Sequence, residues 1–364
     1  MSPPLKGIHV TNFRNFAQRQ ETFTSSHTLF KGRNAVGKTN LLEAISFLCP
    51  GTGFRKDTIS NFSNQDNQTS DVVINYNYDY EDLTNHLKIE LKFQEERWSK
   101  QYFLNDKKIQ QQQLLKIFQL FWFTETDKVF FIKDTQYQRN TINRIACYFE
   151  PSLFQQLNKF TKLRREKKKV LQTTQEKSWL ESIDKQLMEL GLSIITSKRK
   201  FLDSFQNFLK DENNQFFSFE INPSFGLSDQ ESFLKKFQQD LSDENQWPKD
   251  HKLQSDHDPQ KSIFEITHQQ KGLSQLSSAQ SKLLILSFLL HCAKFLNQQK
   301  ITIFLIDEIF DNFDMINIEK VIQYCAENKF QTFFSTTDNF ALQGAINNLE
   351  IKDIHNDRTI FSIF

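Results

Sequence analysis

Residues Gly32 to Thr39 read GRNAVGKT, which fills every fixed position of the P-loop pattern G-x-x-x-x-G-K-[ST]. Thr28, Leu29 and Phe30 supply a short strand before it, and the run from Asn40 to Ile45 supplies a helix after it. Gly32 and Gly37 allow backbone angles that a Cβ would forbid, so the amides of Arg33, Asn34, Ala35 and Val36 can curl round a phosphate chain. The N-terminus of the following helix adds partial positive charge at the same spot. Lys38 is expected to reach the β- and γ-phosphates, and the Thr39 hydroxyl to hold Mg²⁺. A strand-to-helix turn that binds nothing is the bland alternative, but the chain has only 9 glycines in 364 residues, and two fall at these spacings. The motif therefore predicts an ATP site.

A second pattern completes that prediction. Ile303 to Ile306 are apolar and are followed by Asp307 and Glu308, a Walker B arrangement. At the end of a buried strand Asp307 would hold Mg²⁺ through water, and Glu308 would orient or deprotonate the attacking water. Acids at strand ends are common, so this pattern gains its force from the complete P-loop in the same chain.

Composition limits the rest. The length suggests about two domains, or one with an insertion. Lys and Arg number 45 against 44 Asp and Glu, so any nucleic-acid contact must come from a local patch. Cys49, Cys147, Cys292 and Cys325 are scattered, without metal-ligand spacing, and read as reduced, buried thiols. The first residues show no signal-peptide pattern. The apolar run between Lys282 and Lys294 reads as a core helix too short to cross a bilayer. Together these predict a soluble cytoplasmic protein.

Along the chain, strands are expected at Leu5 to Phe13 and Thr28 to Lys31. Asp71 to Tyr78 and His86 to Phe93 should pair antiparallel across a polar turn, with a further strand at Ile117 to Phe123. From Thr135 to about Lys210 the periodicity becomes helical, as at Leu180, Ile183, Leu187 and Leu190. Strands follow at Phe216 to Ile221 and Ile263 to Thr267, with the polar stretch Ser242 to Gln260 reading as loop. Ser277 to Leu296 reads as a helix. Ile301 to Ile306 reads as a central parallel strand, Gln331 to Ser335 as its neighbour, and Thr359 to Phe364 as an edge strand. The fold class is α/β: a P-loop ATPase head with a mixed sheet, interrupted by a helical insertion. Residues 1–134 and 212–364 form the two parts of the head, and 135–211 the insertion.

Leu276 to Gln280, LSSAQ, resembles the L-S-G-G-Q signature motif of ABC-type ATPases. The resemblance implies that Ser277, Ser278 and Gln280 of one subunit meet the γ-phosphate held by the P-loop of another. Asp311 to Asp314 falls where that family's D-loop should lie. The order of P-loop, insertion, signature and Walker B resembles the split head of SMC-like proteins. A short insertion narrows this to the RecF family. Asn12 to Phe16 resembles its N-F-R-N-[YF] motif, Gly37 to Ile45 resembles its consensus, and Gly53 to Arg55 resembles its S-F-R. Trp179, Gln186, Leu187, Gly191, Ile195 and Arg199 resemble a pattern typical of its insertion.

That resemblance implies an ATP-dependent homodimer that binds DNA at gaps and single–double-strand junctions. It also implies RecR and RecO as partners in loading RecA, with release on hydrolysis. Several positions depart from the pattern. Ala279 replaces the signature glycine, Glu125, Thr126 and Gln138 replace the usual Pro, Glu and first Arg of the family's F-x-P-E-D…R-R-x-F-L-D segment, of which Asp127 and Arg139 are kept, and Ser255 to His257 only partly follows G-P-H-R-D. These departures favour, as the alternative, a DNA-binding scaffold that uses ATP as a structural ligand. For DNA itself the densest basic run is Lys162, Arg164, Arg165, Lys167, Lys168 and Lys169, with Lys198, Arg199 and Lys200 as a second set. A solvated helix face is the competing reading of that run.

Overall fold

Ile301–Ile306 (β12) is buried at every position, and a strand apolar on both faces needs cover on both. The computed structural model describes residues 2–51, 53–55, 57, 59–64, 71–94, 97–212, 217–246, 257–297, 299–308, 313–337 and 349–355. Their backbone contacts divide the chain into two units, Met1–Asp127 with Asn297–Phe364, and Lys128–Leu296.

In the first unit, β12 lies in a five-stranded parallel sheet. Its order is Leu349–Asp353 (β14), His27–Lys31 (β3), Gln331–Thr336 (β13), β12 and Phe118–Phe123 (β8). The register places Ile306 beside both Phe123 and Phe334, so β8 and β12 end together and β13 runs two residues further, to Thr336. A six-stranded antiparallel sheet accompanies it, in the order Phe16–Thr22 (β2), Leu5–Phe13 (β1), Val72–Tyr80 (β4), Leu83–Gln94 (β5), Arg97–Leu104 (β6) and Lys107–Ile109 (β7). The turn between β4 and β5 is tighter than expected. It consists of Glu81 and Asp82 alone, both at positive φ (52° and 60°), the turn that suits strand twist.

Lys38–Ser46 (α1) packs on β13 and receives the Tyr76 hydroxyl of β4 at the Ala44 carbonyl, 2.6 Å away. Seven of its nine residues are buried, as befits a helix held between two sheets. Gln331 ties the sheets directly, since its side-chain amide accepts from the Leu5 N–H at 2.7 Å and donates to the Leu5 carbonyl at 2.9 Å. Leu114–Ile117 (α2) precedes β8, and Glu125–Lys133 (α3) follows it across the unit boundary.

The second unit contains the long helices Thr135–Phe149 (α4), Ser152–Gln172 (α5) and Lys177–Asp211 (α6). Asp134 caps α4 by accepting from the Gln136 and Tyr137 amides, which fixes the helix start where the sequence placed it. Phe225–Ser228 (α7), Gln230–Glu244 (α8) and Ser278–Leu296 (α9) share this unit. So does a three-stranded antiparallel sheet of Lys271–Gly272 (β11), Phe264–His268 (β10) and Glu220–Pro223 (β9). Residues 212–296 thus cluster with the insertion helices by backbone contact.

α9 as a whole, 19 residues from Ser278 to Leu296, is long and apolar enough for a bilayer span by length and composition, although the apolar run within it is shorter. Its role as a core helix stands, because Phe288 packs on Phe205, Phe219 and Phe264. Met315–Glu327 (α10) packs on β13 in the first unit. The expected strand at Thr359 to Phe364 lies outside the described residues, as does most of the stretch 242–260.

Candidate functional site: the P-loop and its supports

β3 delivers the chain into the loop and α1 leads it away. Gly37 caps α1 at φ +110°, and a Cβ there would collide with the Phe16 ring and the Asn15 amide. A Cβ on Gly32 would collide with the carbonyl of Ile354. Between them Ala35 takes the left-handed conformation at φ 64°, so the loop curls as a phosphate cradle requires. The Lys38 ammonium is buried in the curl and donates to the carbonyls of Gly32 at 2.6 Å and Arg33 at 2.8 Å.

Three elements bring the remaining residues together. The Thr39 hydroxyl, on the first turn of α1, donates to Asp307 Oδ1 at 3.1 Å. Asp307 follows β12, and its N–H extends the ladder to the Phe123 carbonyl of β8 at 3.0 Å. Ser335 of β13 donates to the same Asp307 oxygen and accepts from the Glu308 N–H at 2.8 Å. Burial pushes the Asp307 carboxyl above its ordinary range, against the hydrogen bonds from Ser335 and Thr39 and the fields of Arg55 and Lys38. A hydroxyl and a carboxylate oxygen converging at a helix N-terminus are the hard oxygen donors that Mg²⁺ takes, so these residues fit the ion.

The β1–β2 turn does more than mark a family. Arg14, at φ 55°, forks onto Glu43 with Nε to Oε2 and Nη2 to Oε1, both 2.8 Å. Its Nη1 also meets Asp57 at 2.9 Å. Glu43 is fully buried on α1, and burial pushes its carboxyl up while Arg14 pulls it down. Asn15 donates to the Val36 carbonyl in the loop at 3.1 Å and accepts from Asn40 at 2.7 Å. Arg55 donates to Asn40 Oδ1 at 2.8 Å. The turn therefore clamps both the loop and the helix behind it.

Arg14→Lys keeps the charge but loses the fork, leaving Glu43 without full pairing. It should cost about 2 kcal/mol of stability and weaken nucleotide binding several-fold. Denaturant titration with and without ATP checks this; an unchanged midpoint would exclude the clamp.

The signature residues lie in the second unit. Ser277 caps α9, its Oγ accepting from the Gln280 N–H at 3.2 Å while Gln280 Oε1 accepts from the Ser277 N–H at 3.1 Å. Ser277, Ser278, Ala279 and Gln280 are all exposed. Of the D-loop stretch, Asp311 lies outside the described residues, and Asp314 caps α10 through the Asn317 N–H. Asp127, the retained acid, lies in the first turn of α3 and accepts from the Thr124 N–H at 2.6 Å.

The basic run on α5 divides in two. Arg164 forks onto Glu244 at 2.7 Å through each nitrogen, and the fully buried Lys167 meets Asp184 at 2.7 Å and Glu244 at 3.2 Å. Both point inward, so Arg164 and Lys167 leave the set of surface cations. Lys162, Arg165, Lys168 and Lys169 are exposed. Lys198 is likewise internal: it donates to the carbonyls of Pro259, Gln260 and Ser262 at 3.0–3.1 Å, and burial draws its amine down to about 7.

Sequence reasoning missed Ser335, Asn15, Asn40, Glu43 and the clamping role of Arg14. The N-F-R-N motif was the available signal for the clamp.

The family model described as RecF/RecN/SMC N terminal domain matches residues 4–359. The DNA replication and repair protein RecF of Rickettsia conorii is 24% identical over 365 residues, covering 94% of this chain and 98% of that protein. The protein of the same description from Agrobacterium fabrum is 26% identical over 200 residues, covering 54% and 53% of the two chains. Among solved structures, the recombination mediator protein RecF-ATPrS in the RecFOR pathway superposes with TM-score 0.79 at 22% identity, covering 98% of this chain and 97% of that one. An Smc head domain with an extended coiled coil from Pyrococcus furiosus gives 0.52 at 13% identity, covering 97% and 94%.

Proposed function

This chain belongs to the RecF/RecN/SMC N-terminal-domain family, and from that premise we propose a RecF-like, ATP-dependent DNA-binding protein of replication and recombinational repair. The observation that carries the reading is the meeting of Thr39 and Asp307 at 3.1 Å beside the buried Lys38, the pair of motifs an ATP site needs. Thr39 and Asp307 would hold a magnesium ion, which when bound offsets the charge of the phosphate oxygens. Lys38 binds the β- and γ-phosphates, and the loop amides from Arg33 to Gly37 orient them. Glu308, its backbone fixed at φ 51° by the Ser335 bond, accepts the proton of the attacking water.

In this reading the exposed Ser277 of a second copy closes on the γ-phosphate, so ATP drives a homodimer that grips DNA at gaps or junctions. RecR- and RecO-type partners and support of RecA loading belong to the same proposal. The exposed Ala279 favours a second reading, in which the closed site forms but turns over poorly and ATP acts as a structural ligand.

Sedimentation with and without ATP and gapped duplex tests the first reading. The wild type should shift from monomer to dimer with ATP, and Glu308→Gln should hold the dimer while phosphate release falls at least about 100-fold. A monomer under all conditions would sink the proposal, and an unchanged release rate would sink the role of Glu308. ATP binding and dimerisation without phosphate release in the wild type would favour the structural-ligand reading.

A further inference from the structure

A tryptophan stands at the turn end of the α5–α6 hairpin. Trp179, in the first turn of α6, is 43% exposed, an unusual position for so large an apolar ring. Its indole N–H donates to Glu166 Oε1 on α5 at 3.1 Å, which tethers the ring instead of leaving it to rotate. Glu166 sits one helical turn from Lys162 on one side and Lys169 on the other. With Arg165 these two cations occupy an arc of about 60° on the outer face of α5. All three are exposed. Arg164 and Lys167 of the same run are consumed by Glu244 and Asp184, and of the exposed cations that remain these three share the arc, with Lys168 turned away from it.

A cationic stripe beside a held aromatic ring matches one ligand in particular. Cations alone would suit any phosphate backbone, but a flat, exposed ring adds value only for an unpaired base, whose π-face is free. We propose that Trp179 and the Lys162–Arg165–Lys169 face together bind a single-stranded segment of nucleic acid, the phosphates on the cations and a base stacked on the indole. The inference rests on the DNA-binding reading above and specifies which strand the hairpin takes.

Binding of labelled oligo(dT), gapped duplex and blunt duplex by the full chain with ATP tests it. Trp179→Ala should weaken oligo(dT) and gapped-duplex binding about tenfold or more and leave blunt duplex unchanged. Trp179→Phe, which loses the Glu166 bond but keeps a ring, should retain most of the affinity. Oligo(dT) should quench tryptophan emission in the wild type and much less in Trp179→Phe. Replacing Lys162, Arg165 and Lys169 together by Ala should lower the salt slope on oligo(dT) by about 2, at ~0.7 per contact.

Equal oligo(dT) binding by Trp179→Ala and the wild type would overturn the proposal while leaving the DNA-binding reading intact. Equal losses on blunt duplex and oligo(dT) would show a duplex phosphate surface and overturn it too. A wild type that binds none of the three probes would remove both readings.

Discussion

Glu244→Ala should destabilise the second unit by about 3–5 kcal/mol, the cost of leaving buried charges without their partner. Glu244 is fully buried at the C-terminal end of α8, where the helix dipole disfavours a negative charge. It persists there because Arg164 grips both its oxygens and Lys167 approaches at 3.2 Å. Removing it leaves two cations with Asp184 and the Leu241 carbonyl as their remaining named partners. Hydrogen exchange over α5 and α8 checks the effect locally, since a chain of two units need not unfold in one step. A triple change of Arg164 and Lys167 to Met with Glu244→Leu should recover most of the loss, because well-packed apolar replacements avoid the desolvation cost. Failure of the triple variant to recover would point to packing instead of charge.

The same residues show how far the sequence could be read. Phe160, Leu163, Val170 and Leu171 mark the inner face of α5, and positions 164 and 167 fall in that phase. The sorting of the basic run into inward and outward cations was therefore implicit in helical periodicity, although the acids that receive Arg164 and Lys167 come from distant helices. The P-loop was legible because phosphate binding fixes both residue types and spacing, and β12 because burial on two faces leaves little room for polar residues. Strand β2, FAQRQET, was not legible, since only its first and sixth residues are buried. Nor was α8 recognised, although Phe233, Phe237 and Leu241 recur at helical spacing. Ser335 could not be found locally. It reaches Asp307 only because β12 and β13 pair in parallel with Ile306 beside Phe334, a fact of register and not of motif.

Lys38→Ala should abolish measurable ATP binding, with a loss of at least about 100-fold, or ~2.7 kcal/mol. Two effects add. The ammonium donates to the carbonyls of Gly32 and Arg33, so its loss leaves the loop without the bonds that hold its curl. It also removes a positive charge in a partly desolvated pocket, where a charge-assisted bond to phosphate is worth most. Lys38→Arg separates the two, because it restores charge while its broader planar head cannot retrace the same short bonds, and it should recover only part of the affinity. Arg33→Ala serves as the contrast. Arg33 is exposed and its expected role is through the backbone amide, so truncating its side chain should change ATP affinity less than about threefold. Calorimetric titration of ATP with Mg²⁺ into each variant, with thermal melts to confirm folding, measures all three. Equal losses for Lys38→Ala and Arg33→Ala would mean that general positive charge near the loop, not the buried ammonium, governs binding.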